Sequence, residues 1–374
     1  MKIGYVLRSL EDSGVTVYVL NLAEAMRRRG HDVFLVSDGG VYQDEVIRRG
    51  FRHHLLPLCR GPLASYLAAR RLAGIVAPEQ PDILHGNWRR ANLACHLAEK
   101  KLGLPFVTTL HLVGIPSGWL YRRLSHWGSA VIAPCSEAAA FLRDTFGVAE
   151  SRIRLIFHGV DPDLWPPTTA ESRAAARRQL ALPSDAPTAV CVARLEAIKG
   201  HCTLLAAAAQ VVKVRPDFHL LLVGRGQETE ALQRLTAELG LSQTVRFLGW
   251  CDPRPALAAA DVFVLASRHE SFGFAPVEAM LTGLPVIRTA TEGACDQIRA
   301  GQTGEIVPIG DTAALARALT DVAAHGDSWR RRGQMAREDA AARFTLSAMA
   351  EKVEAVYQEV IAEAGRGASS RGGR

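Results

Sequence analysis

The sequence lacks the features that would place it in a membrane or in a disulfide-stabilised class. No apolar run reaches the roughly 18 to 20 residues that a transmembrane helix needs. The seven cysteines are scattered and never spaced Cys-x-x-Cys, which predicts free thiols in a reducing compartment rather than disulfides or a zinc site. The twelve histidines form no His-x-x-x-His or His-Glu-x-x-His pattern, so we expect no bound metal.

The chain also lacks a basic stretch interleaved with aromatic residues, so we expect no nucleic-acid partner. Its formal net charge is nevertheless +6, and arginines cluster along the first half. The clusters include residues 27–29, 48–49, 70–71, 89–90 and 122–123. Two interpretations stay open: solvated helix faces, or contact with an anionic partner such as a phospholipid surface or a phosphorylated acceptor.

The first residues contain a short apolar run that Arg8 interrupts, without the small-residue cleavage site of a secretory signal. We interpret this run as a first core strand and expect a cytoplasmic protein. Peripheral contact with the inner face of the membrane is the alternative that the arginine clusters leave open. The oligomeric state has no signature in the sequence.

Short apolar runs alternate with amphipathic helical patterns over 374 residues, more than one hydrophobic core usually supports. This alternation predicts an α/β fold with parallel sheets. The proline-rich segment 159–169 interrupts the pattern, which then starts again. We therefore predict two Rossmann-like, doubly wound domains, 1–165 and 166–346, facing a cleft. A long amphipathic helix at about 347–364 and a disordered low-complexity tail, 365–374, are expected to follow.

Arg194 and Lys199 follow the first strand pattern of the second half, in the sequence VARLEAIKGH. A guanidinium fork and an ammonium on one loop could hold a diphosphate. An exposed basic turn is the alternative.

Two further strand ends carry weaker signals. Gly226 closes a Gly-x-Gly pair that most often marks a tight turn. Trp250 and Cys251 follow another strand, where backbone groups could contact a nucleobase edge. A surface turn with local packing of the tryptophan explains the same residues.

The segment SRHESFGFAPVEAMLTGLPVI places Glu270 and Glu278 eight residues apart, on a loop and on the helix that follows. A helix start, with Ser271 as its cap and Pro276 in its first turn, explains the segment without a ligand. A helix N-terminus is also an anion site, whereas carboxylates accept hydrogen bonds from sugar hydroxyls. A ligand with phosphates in the middle and a polyol at each end would satisfy both features. A nucleotide sugar has this arrangement.

Together with VARL…KG, IFHGVD and the glycine-bearing first loop, this segment resembles the retaining glycosyltransferases of family 4. The resemblance covers nearly the whole chain. Its specific part is the Glu-x7-Glu segment with Arg194 and Lys199. It implies an α/β GT-B fold, with the acceptor bound by the first domain, the donor by the second, and the last helix crossing back to the first.

The resemblance also implies roles for single residues. Arg194 and Lys199 would hold the donor diphosphate and stabilise it as it leaves. Glu270 would bind sugar hydroxyls near the reacting carbon, and Glu278 would bind the nucleotide ribose. His111 would lie under the donor sugar, although a histidine at a strand end is often only structural. With the signals above, the other predicted donor contacts are Gly14, Gly226, Trp250, Cys251, Ser271, Phe272, Gly273 and Phe274.

Arg89 and Arg90 open a helix at a strand end, where cations are disfavoured, which tilts the interpretation from exposed surface towards an acceptor phosphate. Three departures from the family pattern affect sugar and acceptor specificity. The first loop has only one glycine, Gly14; His158 replaces the usual Asn; and Asp296 stands where a glutamate is usual.

The expected reaction is retaining transfer of a hexose-type sugar from a nucleotide-diphosphate sugar to a hydroxyl acceptor, which is lipid-linked, a saccharide or a small molecule. Neither a metal nor another cofactor is expected, and the Asp161-Pro162-Asp163 sequence suits a turn better than a metal site. Two alternatives remain: a nucleotide-sugar epimerase on the same scaffold, and an inactive nucleotide-sugar-binding protein. The epimerase lacks a convincing set of titratable residues, and the complete set of site residues argues against the inactive protein.

Overall fold

The computed structural model describes residues 1–58 and 61–371, and the chain divides into two compact units. Unit 1 consists of Met1–Gly159 and Leu346–Arg374, and unit 2 of Val160–Thr345. The division after residue 159 falls a few residues before the boundary predicted at 165.

Unit 1 contains a sheet of seven parallel strands joined by helices. The strands are β1 (Lys2–Leu7), β2 (Asp32–Ser37), β3 (Arg52–Leu55), β4 (Ile83–Asn87), β5 (Phe106–Thr109), β6 (Ala130–Ala133) and β7 (Ile153–Leu155). The helices are α1 (Gly14–Arg28), α2 (Gln43–Arg48), α3 (Pro62–Ala69), α4 (Leu72–Val76), α5 (Arg89–Leu102), α6 (Trp119–Leu124) and α7 (Ser136–Phe146). The strands are arranged in the order β3-β2-β1-β4-β5-β6-β7. The chain adds β2 and β3 on one side of β1 and the later strands on the other side, so the topological switch point lies between β1 and β4. Ligands bind at such switch points in open α/β sheets.

Unit 2 contains a second parallel sheet, of six strands in the order β10-β9-β8-β11-β12-β13. The strands are β8 (Thr188–Val192), β9 (His219–Val223), β10 (Val245–Gly249), β11 (Val262–Leu265), β12 (Val286–Thr289) and β13 (Gly304–Val307). The helices are α8 (Ala170–Gln179), α9 (His201–Val214), α10 (Thr229–Glu238), α11 (Arg254–Ala259), α12 (Ala275–Thr282), α13 (Ala294–Gln297), α14 (Thr312–Ala324) and α15 (Gly326–Arg343). Its switch point lies between β8 and β11, so both Rossmann-like predictions are confirmed.

The last helix, α16 (Leu346–Arg371), returns to unit 1 and packs against α1. Its buried residues recur every three or four positions, among them Met349, Val353, Tyr357 and Val360. The helix extends past the predicted end at 364, so the prediction of disorder is wrong for residues 365–371, where the glycines lower helix propensity without the hard stop that proline imposes. Residues 372–374 lie outside the described range.

Six cysteines fall in the described part of the chain, and all are free thiols, as predicted: Cys95, Cys135, Cys191, Cys202, Cys251 and Cys295. Cys59 lies outside the described residues. Among the helices that the structure describes, none combines the length and the apolar character needed to cross a membrane.

Candidate functional site

The loops that follow β8 and β11 meet at one edge of the sheet of unit 2. The Arg268 N–H donates to the Ile198 carbonyl at 2.8 Å, which ties the two loops together. Gly200 makes the approach possible: its φ is +68°, and a Cβ there would lie only 1.9 Å from the Ala266 carbonyl oxygen. Glycine is therefore required by both conformation and space.

This packing brings Lys199 beside Glu270, two of the predicted catalytic residues, from positions 71 residues apart. The Lys199 Nζ lies 2.6 Å from the Glu270 Oε2, and only 15% of each side chain is exposed. A partly buried pair is screened by salt less than a surface pair. The edge therefore holds a cation that can bind phosphate next to an acid that can bind hydroxyls.

Arg194 lies on the same loop, but its side chain is 54% exposed. Its Nη1 lies 2.6 Å from the Glu196 Oε1. Exposed ion pairs contribute little to stability, so little free energy opposes exchange of this carboxylate for another anion. Both predicted cations thus have an acidic partner that a diphosphate could replace.

The turn before α12 differs from the predicted cap. Its N-cap is Phe274 rather than Ser271, and no side chain caps the helix. Gly273 has a left-handed φ of +78°, which is incompatible with the helix, so the helix begins two residues later at Ala275. Ser271 is buried, and its hydroxyl has no hydrogen-bond partner among the described residues. The first-turn amides therefore lack a side-chain acceptor, which suits a bound anion.

Two residues that the sequence analysis missed hold this turn from inside. The Gln297 Nε2 donates to the carbonyls of Phe272 and Gly273, at 2.8 and 3.0 Å. The Arg288 Nη1 donates to the Phe272 carbonyl at 3.2 Å. The Phe272 ring packs edge-to-face on Phe344 inside unit 2, so this residue offers a ligand only its backbone. The sequence signal for Arg288 was a charged residue within the apolar pattern PVIRT, whereas no pattern marked Gln297.

Glu278 lies on α12 with a half-buried side chain. Burial raises the pKa of its carboxyl from 4.5 to about 7. At neutral pH the carboxyl therefore changes its charge readily, and hydroxyl donors would favour the ionised form.

The other predicted donor contacts of unit 2 lie on the loops after β9 and β10. Trp250 is 67% exposed, and the Arg225 guanidinium lies 5.2 Å above its ring centroid. Cys251 is also exposed. A Cβ at Gly226 would lie 2.2 Å from the Leu195 carbonyl oxygen, so Gly226 allows the loops after β8 and β9 to pack. Trp250 and Arg225 offer the kind of surface on which a planar base can stack.

In unit 1, His111 follows β5 and contacts Asn87 at the end of β4. The Asn87 Nδ2 donates to the His85 carbonyl at 3.1 Å, which leaves its Oδ1 to face the His111 Nε2 at 2.9 Å. The proton of His111 is therefore on Nε2. Burial lowers the pKa of His111 to about 3, so the ring is neutral at pH 7. The rings of Tyr18 and His158 pack around it, with centroids 5.0 and 5.9 Å away.

A buried chain of hydrogen bonds lies behind His111 and includes the last helix. The Tyr357 hydroxyl donates to the Tyr5 hydroxyl at 3.2 Å, so it accepts from the His85 Nδ1 at 2.6 Å. The His85 Nε2 then accepts from the Thr109 hydroxyl at 2.8 Å, and Tyr18 donates to Thr109 at 3.1 Å. All of these side chains are buried, and the chain joins α1, β1, β4, β5 and α16.

Arg89 and Arg90 begin α5 and line a cavity of about 310 Å³ in unit 1 together with His111. Arg8 and the aromatic residues Trp88, Tyr121 and Trp127 also line it. None of the described lining residues is acidic. Trp88 has a φ of +104°, an uncommon conformation for a bulky residue that is often found at functional sites.

Arg89 is held in place by contacts with two other lining residues of this cavity. Its Nη2 donates to the Pro116 carbonyl at 2.8 Å, and its guanidinium lies 4.8 Å from the Tyr121 ring centroid. Gly14, by contrast, is the exposed first residue of α1, which Ser13 caps by accepting from the Thr16 N–H at 3.3 Å. The structure thus brings His111, Arg89 and Arg90 to one cavity and places Gly14 at a helix start.

Two family models match the chain. Residues 13–164 match "Glycosyltransferase Family 4", and residues 172–339 match "Glycosyl transferases group 1". A lipopolysaccharide core biosynthesis glycosyltransferase of Rhizobium meliloti is 37% identical over 46% of this chain, and the match spans 50% of that relative.

A D-inositol 3-phosphate glycosyltransferase of Catenulispora acidiphila is 30% identical, over 82% of this chain and 79% of that relative. The crystal structure of Anabaena HepE in complex with UDP superposes with a TM-score of 0.86, at 22% identity, covering 96% of this chain and all of that one (100%). This likeness shows the GT-B fold. The matches to both halves and the near-full-length relative establish that the chain belongs to the family 4 glycosyltransferases and is an enzyme that transfers sugars.

Proposed function

We propose that the protein is a retaining, metal-independent glycosyltransferase that moves a hexose-type sugar from a nucleotide-diphosphate sugar to a hydroxyl acceptor. The observation that carries the proposal is the contact between Lys199 and Glu270 beside the uncapped turn before α12. A diphosphate needs the cation and the amides, whereas the attached sugar needs the acid.

In this mechanism the acceptor hydroxyl attacks the face from which the phosphate departs, and the leaving phosphate takes the acceptor's proton. Arg194, Lys199 and the amides of the turn stabilise the negative charge that builds on the leaving group. Glu270 holds the sugar hydroxyls and Glu278 the ribose. Because these groups are positioned in advance, they lower the barrier without a metal ion.

We expect Glu278→Gln to remove one pH-dependent contribution to stability, that of the Glu278 carboxyl. The folded-state pKa of about 7 lies above the usual 4.5, so the folded protein binds more protons than the unfolded chain between these values. The contribution of this carboxyl to the free energy of unfolding therefore falls as pH rises from about 4.5 to 7, by up to about 1.4 kcal/mol per pH unit. Thermal unfolding of the donor-free protein should show the variant matching wild type at pH 5 and exceeding it at pH 8.

Glu238→Gln, on the exposed surface of α10, is the control and should leave the wild-type pH dependence unchanged. A stability difference between Glu278→Gln and wild type that is the same at pH 5 and pH 8 would contradict the assignment. In the proposed role, Glu278→Gln also weakens donor binding more at pH 8 than at pH 5.5, because only the ionised carboxylate attracts the ribose hydroxyls strongly.

The acceptor in this proposal is anionic and binds in the cavity of unit 1. Arg8, Arg89 and Arg90 supply positive charge to the lining, while Trp88 and Trp127 supply flat apolar walls. The volume of about 310 Å³ suits a sugar-sized group with one phosphate or carboxylate. Two relatives are named for inositol phosphate and lipopolysaccharide core substrates, which are compatible with this chemistry.

Peripheral membrane contact is part of the proposal and is assigned to α6 beside this cavity. Trp119, Leu120, Tyr121 and Leu124 are 77%, 48%, 46% and 49% exposed, and an arginine pair lies between them. Exposed aromatic and leucine side chains with arginines are typical of segments that bind anionic lipid surfaces.

We expect the double variant Trp119→Ser/Leu120→Ser to bind vesicles containing phosphatidylglycerol about tenfold more weakly, the equivalent of about 1.4 kcal/mol of lost apolar insertion. Co-sedimentation at low and high salt measures this binding. Leu164→Ser, which changes a 56% exposed leucine in unit 2, is the matched control. Wild-type protein that sediments with no vesicle at either salt concentration would contradict membrane contact.

The proposed reaction is tested by screening nucleotide sugars by thermal shift, since a ligand at 100 times its Kd stabilises by about 2.7 kcal/mol. The stabilising donor is then incubated with phosphorylated and unphosphorylated acceptors, with and without chelator. NMR should show an α-linked product from an α-linked donor at an unchanged rate in chelator. An inverted product or a chelator-sensitive rate contradicts the proposal; donor epimerisation without acceptor indicates the epimerase, and binding without turnover indicates the inactive protein.

A further inference from the structure

Arg288 is a charged side chain buried in the sheet of unit 2. It lies on β12, which pairs with β11 on one side and β13 on the other, and it has 0% exposure. Burying a guanidinium is costly unless its N–H groups are satisfied. A strand position of this kind normally takes an apolar residue, so a specific use of the arginine is expected.

The hydrogen bonds of Arg288 converge on two loops. Its Nη1 donates to the Phe272 carbonyl and to the Gln297 Oε1. Its Nη2 donates to the Thr291 Oγ1 at 2.9 Å and to the Glu292 carbonyl at 3.1 Å. The guanidinium therefore joins the loop after β12 to the turn before α12.

Gln297 contacts the same turn and holds one more of its carbonyls, that of Gly273. It is also fully buried, and its Nε2 donates to the carbonyls of both Phe272 and Gly273, while its Oε1 accepts from Arg288. The orientation of the glutamine amide is thus fixed on both sides. Reversing it would place its oxygen against two carbonyl oxygens.

The consequence for the turn follows from peptide geometry. In a trans peptide the C=O and the N–H point in opposite directions. The carbonyls of Phe272 and Gly273 point towards Gln297, so the N–H groups of Gly273 and Phe274 point away from it. Gly273 and Phe274 are both among the predicted donor contacts.

We propose that Arg288 and Gln297 are a positioning pair: by holding the carbonyls of Phe272 and Gly273, they aim the N–H groups of Gly273 and Phe274 at the sugar or the phosphates of the donor. This inference rests on the proposed function for the identity of the ligand. It adds two residues that touch no substrate but set the geometry of the groups that do.

The test compares Gln297→Leu and Gln297→Glu with Gln302→Leu, an exposed control five residues away. The glutamate variant keeps an acceptor for Arg288 but cannot donate to the two carbonyls, so it serves if the leucine variant fails to fold. Crystal structures without ligand should show the Phe272–Gly273 or Gly273–Phe274 peptide rotated in both variants. With the donor found by the thermal-shift screen, kcat/KM should fall about 10²-fold, mainly through a higher donor KM, and the control should match wild type.

Variant turns that superpose on wild type, or variants that lose thermal stability with unchanged donor KM, would overturn the positioning role. If wild-type protein uses no nucleotide sugar, the proposed function fails, and the crystallographic comparison alone decides whether the pair sets the turn.

Discussion

Lys199→Met is expected to lower kcat/KM by about 10²- to 10³-fold while leaving the protein folded. The substitution keeps much of the apolar stem and removes the ammonium that contacts the Glu270 Oε2 at 2.6 Å. Two effects then add: the diphosphate loses a cation, and the Glu270 carboxyl loses its basic partner beside the phosphates. Steady-state kinetics with the donor found by thermal shift measure the loss.

Lys213→Met is the matched control, because it removes an exposed lysine from α9 in the same unit and should leave the rate unchanged. Lys199→Arg keeps the charge with a different shape and should recover part of the activity. Lys199→Met with wild-type kinetics would refute the donor site, because the proposed mechanism makes this ammonium one of the two cations that stabilise the leaving diphosphate.

Gly200→Ala should cause the second-largest effect, a destabilisation of about 2 to 5 kcal/mol together with loss of activity. An L-residue at φ +68° costs about 1 to 2 kcal/mol, and forcing an atom into packed surroundings costs typically 1 to 3 kcal/mol more. The added Cβ would lie 1.9 Å from the Ala266 carbonyl oxygen, so the loop after β8 must move away from the loop after β11. That movement separates Lys199 from Glu270.

Gly240→Ala separates the two contributions. Gly240 has nearly the same φ, +70°, but nothing lies within 4 Å of the position of its Cβ. Its substitution should cost only the conformational term, about 1 to 2 kcal/mol, and should not change the kinetics. If the thermal unfolding midpoint falls equally in the two variants, the contact between the added Cβ and the Ala266 carbonyl contributes nothing to the destabilisation, and the prediction for Gly200 is wrong.

Local patterns predicted the strands and the approximate division of the chain, because period-two and period-three-to-four apolar spacing follows directly from strand and helix geometry. They also predicted that Lys199 and Glu270 follow strands of one sheet. They wrongly predicted Ser271 as the helix cap. The helix starts at Ala275 because Gly273 is in the left-handed conformation, and that conformation depends on tertiary contacts. The extension of α16 beyond residue 364 was likewise missed.

The partners of the candidate residues could not be predicted. Asn87 orients His111 from another strand, and Gln297 holds Phe272 from 25 residues away. Such pairs depend on strand order and on side-chain direction at strand ends, neither of which has a local signal. Arg288 was visible as an irregularity in an apolar strand, but its purpose became clear only from the carbonyls that it contacts.

Helix α16 supplies Tyr357 to the hydrogen-bond chain of unit 1, but it follows unit 2 in the sequence. Unit 1 is therefore complete only after the ribosome has synthesised the whole of unit 2. At about 5 to 20 residues per second, synthesis of the intervening unit delays its arrival by roughly 10 to 40 s. Throughout that interval the nascent first half exposes the apolar groove that α16 will cover, while unit 2 emerges as one continuous segment. A chain stalled before residue 346 should therefore be a chaperone client through its N-terminal half.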